Sequence, residues 1–161
     1  MAGLEQEVGD LLRGKGLTLG VVESATGGLI SHLITNIPGS SDYYKGAVTA
    51  YSNETKVKIA GVNGETLDNY GAVSSQVAEE MAAGGRKALA VDICLADTGI
   101  AGPGGATPGK PAGLFYIGLS SQSGTSVRKH SFRGDRRENK RSAAEAALGW
   151  LREYLMTLKE V

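Results

Sequence analysis

Ser24 and Lys56 stand where sites are commonly built, one just after an apolar run where a strand would end and the other in the first turn of a helix. Leu17 to Gly28 reads LTLGVVESATGG: Leu17, Leu19, Val21 and Val22 form the apolar, partly β-branched run, and Glu23 and Ser24 break it. Thr26-Gly27-Gly28 then opens LISHLIT, an amphipathic helical pattern. A hydroxyl at the carboxyl end of a strand, beside the free N–H groups of a glycine-rich helix start, suits a nucleophile whose developing oxyanion those groups stabilise. The same residues also read as a plain turn, with Ser24 or Thr26 as an N-cap. A nucleophilic serine needs a base. Only His32 and His130 are available for a triad, the first two turns into the following helix and the second in a late strand. The Gly-x-Ser-x-Gly elbow is absent, because the stretch is Val22-Glu23-Ser24-Ala25-Thr26. Lys56 is the other candidate. Ser52-Asn53 signals a helix start, which puts Lys56 in the first turn, where the macrodipole opposes its charge and lowers its pKa as a neutral-amine base requires. Tyr51, just before, could orient the amine or donate to a substrate. The competing reading is a solvated surface lysine.

Two further stretches could bind. Gly104 to Lys110 matches G-x-x-x-x-G-K, but Pro111 follows where a P-loop needs Ser or Thr, and a strand-like run follows where it needs a helix. What survives is Thr98-Gly99-Ile100-Ala101-Gly102 at the end of a central strand, where open α/β sheets collect ligands. Arg133, Arg136, Arg137, Lys140 and Arg141 crowd the start of the last helix, either as a solvated basic face or as cations awaiting a phosphate. No Cys, His and carboxylate cluster has metal-ligand spacing, so no metal and no cofactor are expected.

The elements that must position these groups follow from periodicity and punctuation. An opening helix is expected over 3–14, a strand over Tyr43 to Tyr51, a short helix over 53–60 and another turn or two over Glu65 to Tyr70. Ser74 or Ser75 caps a longer helix with Val77, Met81 and Ala88 on its apolar side, and Val91 to Ile100 reads as a central strand. Leu114 to Ser120 and Thr125 to Phe132 form a hairpin, and a helix from about Asp135 to Lys159 carries Ala144, Ala147, Leu148, Leu151 and Leu155 inward. This order predicts one α/β domain over 1–161, three layers deep, with a mostly parallel sheet and one antiparallel strand from the hairpin.

Composition agrees. Lys plus Arg equals Asp plus Glu at 17 each, so no overall field points to nucleic acid or membrane, and 41% hydrophobic with 21% charged residues is ordinary for a globular chain. The single cysteine, Cys94, has no partner within the chain, which fits a reducing cytoplasm, and neither a leader pattern nor an apolar run of membrane-spanning length is present.

Taken together, ESATGG, PGSSDYYKGAVTAYSNETK, GAVSSQVAEEMA, TGIAGPGG with the later KPAG, and FRGDR resemble the CinA C-terminal family, from the first helix to the last. The resemblance is to the single-domain form, so the metal-dependent pyrophosphatase activity of the family's other domain is not carried over. It implies a three-layer α/β/α sandwich with a five-stranded mixed sheet, and hydrolysis of the carboxamide of nicotinamide mononucleotide to nicotinate mononucleotide and ammonia. It places the nucleophile on Ser24, the general base on Lys56 and the family's tyrosine on Tyr51. On the binding side it points to Thr98 and Arg136. With Thr26, Gly27 and Gly28 as oxyanion donors, Gly99 and Gly102 beside Thr98, and Arg141 beside Arg136, this completes the expected set. Ala25 stands where the family commonly has cysteine, and Lys140 where it often has arginine, a point charge without the bidentate fork. A small-molecule nucleotide as partner, a homodimer, and no nucleic acid or membrane complete the expectations. The rival reading is a non-catalytic nucleotide-binding or regulatory module linked to competence or DNA damage.

Overall fold

The computed structural model describes residues 2–159. The chain runs α1 (Leu4–Lys15), β1 (Leu19–Glu23), α2 (Leu29–Thr35), a 3-10 turn at Ser40–Asp42, and β2 (Tyr44–Thr49). It continues through α3 (Asn53–Lys58), α4 (Gly64–Tyr70), α5 (Ser75–Leu89), β3 (Ile93–Gly99), the hairpin β4 (Leu114–Ser121) and β5 (Gly124–Ser131), and α6 (Arg136–Thr157).

The five strands form one sheet in the order β2-β1-β3-β4-β5. β1 lies parallel to both β2 and β3, while β4 is antiparallel to β3 and to β5, so β4 is the one reversed strand. Every residue of β1 is buried, as is β3 up to its last residue, because both strands are covered on both faces. β2 and β5 are the edges, and their burial alternates along the strand.

Period-2 alternation divides the core. Leu19, Val21, Leu95 and Ile117 point to one face and pack with Leu12 of α1, Ile30 of α2 and Leu148, Leu151 and Leu155 of α6. Val22, Cys94 and Ala96 point to the other and pack with Val77, Met81 and Ala82 of α5. Helix α5 lies very close to the sheet: a Cβ on Gly85 would overlap Val22 Cγ2 and stand 2.7 Å from Cys94 Sγ. The stripe facing the sheet runs through Ala78, Ala82, Gly85 and Leu89, so Ala88 falls at its margin and is exposed rather than inward.

The caps explain the helix boundaries. Gly16 takes φ 64° to end α1, the Ser74 side chain accepts from Val77 N to start α5, and Asp135 and Glu138 form a reciprocal capping box at the start of α6. Asp135 is thus the cap and not the first helical residue. Among the described residues, no helix is long and apolar enough to cross a membrane.

Candidate active site

The carboxyl ends of β1 and β3 open onto a cleft of about 410 Å³, bordered by Ser24, Tyr51, Lys56, Thr98, Gly99 and Arg136. Sheet order explains its position. The chain leaves β1 towards β2 on one side, and β3 fills the place on the other, so the strand ends diverge between them. Ser24 directly follows β1 and is 7% exposed. Ala50 N donates to Glu23 O at 2.7 Å, which draws the end of β2 beside the Ser24 turn. The chain then enters α3, whose N-cap Ser52 accepts from Thr55 N at 3.1 Å.

Lys56 is only 2% exposed. Its Nζ donates to the Tyr51 carbonyl at 3.1 Å, and no acidic side chain pairs with it among the described residues. Burial lowers its pKa, and the charge of Asp97 partly opposes that shift. The expected cause was the helix dipole. However, α3 is only six residues long and Lys56 belongs as much to its last turn, so desolvation is the physical cause.

Thr98 Oγ1 donates to Ala72 O at 2.7 Å, tying β3 to the connection between α4 and α5. Its single hydrogen is committed there, so toward the cleft Thr98 offers only lone pairs. Arg136 donates from Nη1 to Gly102 O at 2.9 Å and from Nη2 to Tyr51 Oη at 3.2 Å. One guanidinium thereby ties the Gly/Pro loop to the tyrosine hydroxyl.

Other expected site residues lie elsewhere. Thr26, Gly27 and Gly28 were expected to supply oxyanion donors, but their N–H groups are occupied. Thr26 N donates to Asp97 Oδ2 at 3.1 Å, Gly27 N to Ser24 O at 3.0 Å and Gly28 N to Glu23 Oε1 at 3.1 Å. The N–H of Ala25 makes no hydrogen bond among the described residues, and Ala25 borders the cleft, so it is the donor the geometry leaves beside Ser24. Gly102 contributes its carbonyl to Arg136 and does not border the cleft, where Gly104 and Gly105 stand instead. Arg141 turns away: it pairs with Glu145 at 3.0 Å on an exposed face of α6. Its place is taken by Arg137 and Lys140. With Thr26, Gly27, Gly28 and His32, these two border a neighbouring depression of about 380 Å³.

Two buried carboxyls under the Ser24 turn are not singled out by the sequence. Asp97 is fully buried, accepts the Ser24 N–H on Oδ1 at 3.0 Å, and burial pushes it up to about 6. Glu23, also fully buried, accepts from the N–H groups of Gly28, Ile30 and Ser31. The available signal for Asp97 was an acid inside the apolar run ICLADTG, in a strand with no solvent face. Asn53 and Val73 also border the cleft. Val73 comes from a connection that carries no motif of its own.

Comparison with known proteins agrees with this architecture. The family model described as the CinA C-terminal domain matches residues 1–155. A CinA-like protein of Kosmotoga olearia is 48% identical over 155 residues, covering 96% of this chain and 38% of the relative. One of Thermotoga neapolitana is 47% identical over 152 residues, covering 94% and 37%. The chain therefore spans under two-fifths of the length of these curated relatives. Among solved structures, the competence damage-inducible protein A (ComA) of Klebsiella pneumoniae superposes with a TM-score of 0.94 at 31% identity, covering 97% of each chain. The competence/damage inducible protein CihA of Agrobacterium tumefaciens gives 0.89 at 32% identity, covering 98% of each. The chain belongs to the CinA C-terminal domain family.

Proposed function

We propose that this domain is an amidohydrolase that converts the carboxamide of nicotinamide mononucleotide to the carboxylate, releasing ammonia. The observation that carries the reading is the state of Lys56: a lysine 2% exposed, with its pKa lowered by burial, in the same cleft as a buried serine. A structural lysine would be solvated or paired with an acid. A neutral amine can instead take the Ser24 proton as Oγ attacks the carboxamide carbon. The Ala25 N–H then lies beside the developing oxyanion, the protonated amine returns its proton to the leaving ammonia, and water hydrolyses the acyl-enzyme.

Thr98 supports an amide substrate. With its hydrogen given to Ala72 O, its oxygen can accept from a carboxamide NH₂ but offers nothing to the carboxylate of the product. The basic start of α6 suits the 5′-phosphate, with Arg136 at the cleft and Arg137 and Lys140 at the adjoining depression. A homodimer that covers the exposed Val57 and Ile59, at and just past the end of α3, fits the same reading.

The test is ammonia release from nicotinamide mononucleotide by purified protein with chelator present, beside Ser24→Ala and Lys56→Ala. Release lost in both variants is the expected result. Release that persists in them discards the dyad, and nucleotide binding without release by the wild type replaces the enzyme with a regulatory binding module.

A further inference from the structure

Under the Ser24 turn, the structure brings two carboxyl groups onto one hydroxyl. Thr26 Oγ1 lies 2.6 Å from Glu23 Oε1 and also within hydrogen-bonding distance of Asp97 Oδ1. All three residues are 0% exposed. A threonine hydroxyl carries one hydrogen, and an ionised carboxylate only accepts. With both acids ionised, one of these short contacts would hold lone pair against lone pair in a site closed to bulk solvent. A second proton on the chain removes the conflict: one acid donates to Thr26 Oγ1, and Thr26 donates to the other.

The surroundings decide which acid holds it. Glu23 accepts from three backbone N–H groups at the start of α2, at 2.9 to 3.1 Å, in addition to the threonine. That is a cradle for a full negative charge. Asp97 accepts from two, Ser24 N at 3.0 Å and Thr26 N at 3.1 Å, and the neighbouring Glu23 charge further favours its neutral form. We propose that Asp97, Thr26 and Glu23 form a proton-sharing latch, Asp97 O–H to Thr26 O–H to Glu23 carboxylate, and that Thr26 and Asp97 are positioning residues for Ser24.

The latch does two things. It holds both ends of the Ser24-Ala25-Thr26 turn, since Asp97 takes the N–H of Ser24 and of Thr26 and leaves that of Ala25 alone. It also favours the neutral form of Asp97. Lys56 on α3 is the cation that responds to Asp97, and an ionised Asp97 would favour its protonated, useless form. The cations of α6 stand on other sides of the turn: Lys140 over Gly27, Arg137 at the depression beside Thr26, and Arg136 at the cleft. Burial, which pushes Asp97 up to about 6, acts in the same direction as the geometry.

This rests on Ser24 as the nucleophile, so the test includes readouts that need no substrate. The infrared carbonyl band of a protonated carboxylic acid is followed from pH 4 to 8 in the full chain, in wild type, Asp97→Asn, Thr26→Val and Thr26→Ser. Labelling of Ser24 by a sulfonyl fluoride is measured alongside. The expected result is one acid band that titrates at about 6 or above and is lost in Asp97→Asn, where an unperturbed aspartic acid would titrate near about 3.9. Thr26→Val slows Ser24 labelling and lowers kcat by about 10- to 100-fold with KM within about twofold, and Thr26→Ser recovers most of both. A band that disappears below about pH 5, or Thr26→Val with labelling and kcat within about twofold of wild type, overturns the latch. Should Thr26→Val fail to fold, the band and its loss in Asp97→Asn decide. If the band and the labelling behave as expected and wild type releases no ammonia, the amidohydrolase reading falls and the latch stands.

Discussion

Lys56→Met separates a catalytic lysine from a structural one, because the two roles predict opposite effects on stability. Methionine has nearly the same length, is unbranched and adapts to irregular space, so the buried stem is replaced without a cavity. What is lost is one hydrogen bond, Nζ to the Tyr51 carbonyl at 3.1 Å, ordinarily a contribution of about 1 kcal/mol. The acceptor belongs to Tyr51, a residue 61% exposed, so the loss stays at about that figure. What is gained is relief from burying an amine with a single partner, about 1–3 kcal/mol by mutational data. The balance is neutral to about 2 kcal/mol stabilising, which moves Tm of a domain this size by no more than about 4–8 °C upward. Turnover moves the other way. Removing a general base costs about 10²- to 10⁴-fold in kcat, which a glutamate dehydrogenase-coupled ammonia assay resolves easily. A clear fall in Tm for Lys56→Met would show that the amine supports the fold. Turnover within about tenfold of wild type would show that it is not the base.

Two further outcomes follow from particular contacts. Arg136→Ala removes the cation at the cleft and should raise KM for nicotinamide mononucleotide by about 10- to 100-fold, the worth of a charge-assisted hydrogen bond, with far less effect on nicotinamide riboside; equal effects on both would separate Arg136 from the phosphate. Asp97 is raised from 3.8 to about 6, so its stabilising contribution is complete below about pH 4 and is lost as pH rises through about 6. That amounts to about 3 kcal/mol. Urea unfolding of wild type and Asp97→Asn at pH 4.5 and 7 should therefore show the balance shifting towards the variant at the higher pH, and a gap independent of pH would contradict the assignment.

Much of this site was legible because strands announce their ends. Ser24 and Thr98 follow apolar runs, and Lys56 follows a cap signal, so each could be placed at a strand end or a helix start before any contact was known. The acceptors were harder to read. Thr26, Gly27 and Gly28 form a donor-rich loop in sequence, but Asp97, from a strand far along the chain, takes the Thr26 N–H and Glu23 takes that of Gly28. Local sequence shows which donors exist and not what occupies them. Lys56 borders the cleft, and its pKa is lowered by burial and not by the helix dipole, because the depth of α3 depends on tertiary packing of the segment that follows. Ala60 and Val62 are buried there, and a Cβ on Gly84 of α5 would overlap the Ala60 carbonyl. Arg141 failed on helical phase. It lies one position past Lys140, a rotation of about 100°, and Glu145 four residues on was already in place to pair with it.

The capping box of α6 has a consequence for how substrate arrives. Asp135 and Glu138 secure a helix start that also carries Arg136, Arg137 and Lys140, with Arg133 just before it. Cations there oppose the macrodipole, and the reciprocal cap is what lets the helix begin among them. The molecule as a whole has no net charge, yet one end of one helix concentrates positive potential beside the cleft. Such a molecule attracts an anion by orientation rather than by overall charge, and the attraction reaches no further than the ionic atmosphere allows, about 8 Å at physiological salt. Capture of a phosphorylated substrate should weaken as salt rises, while turnover of substrate already bound should not.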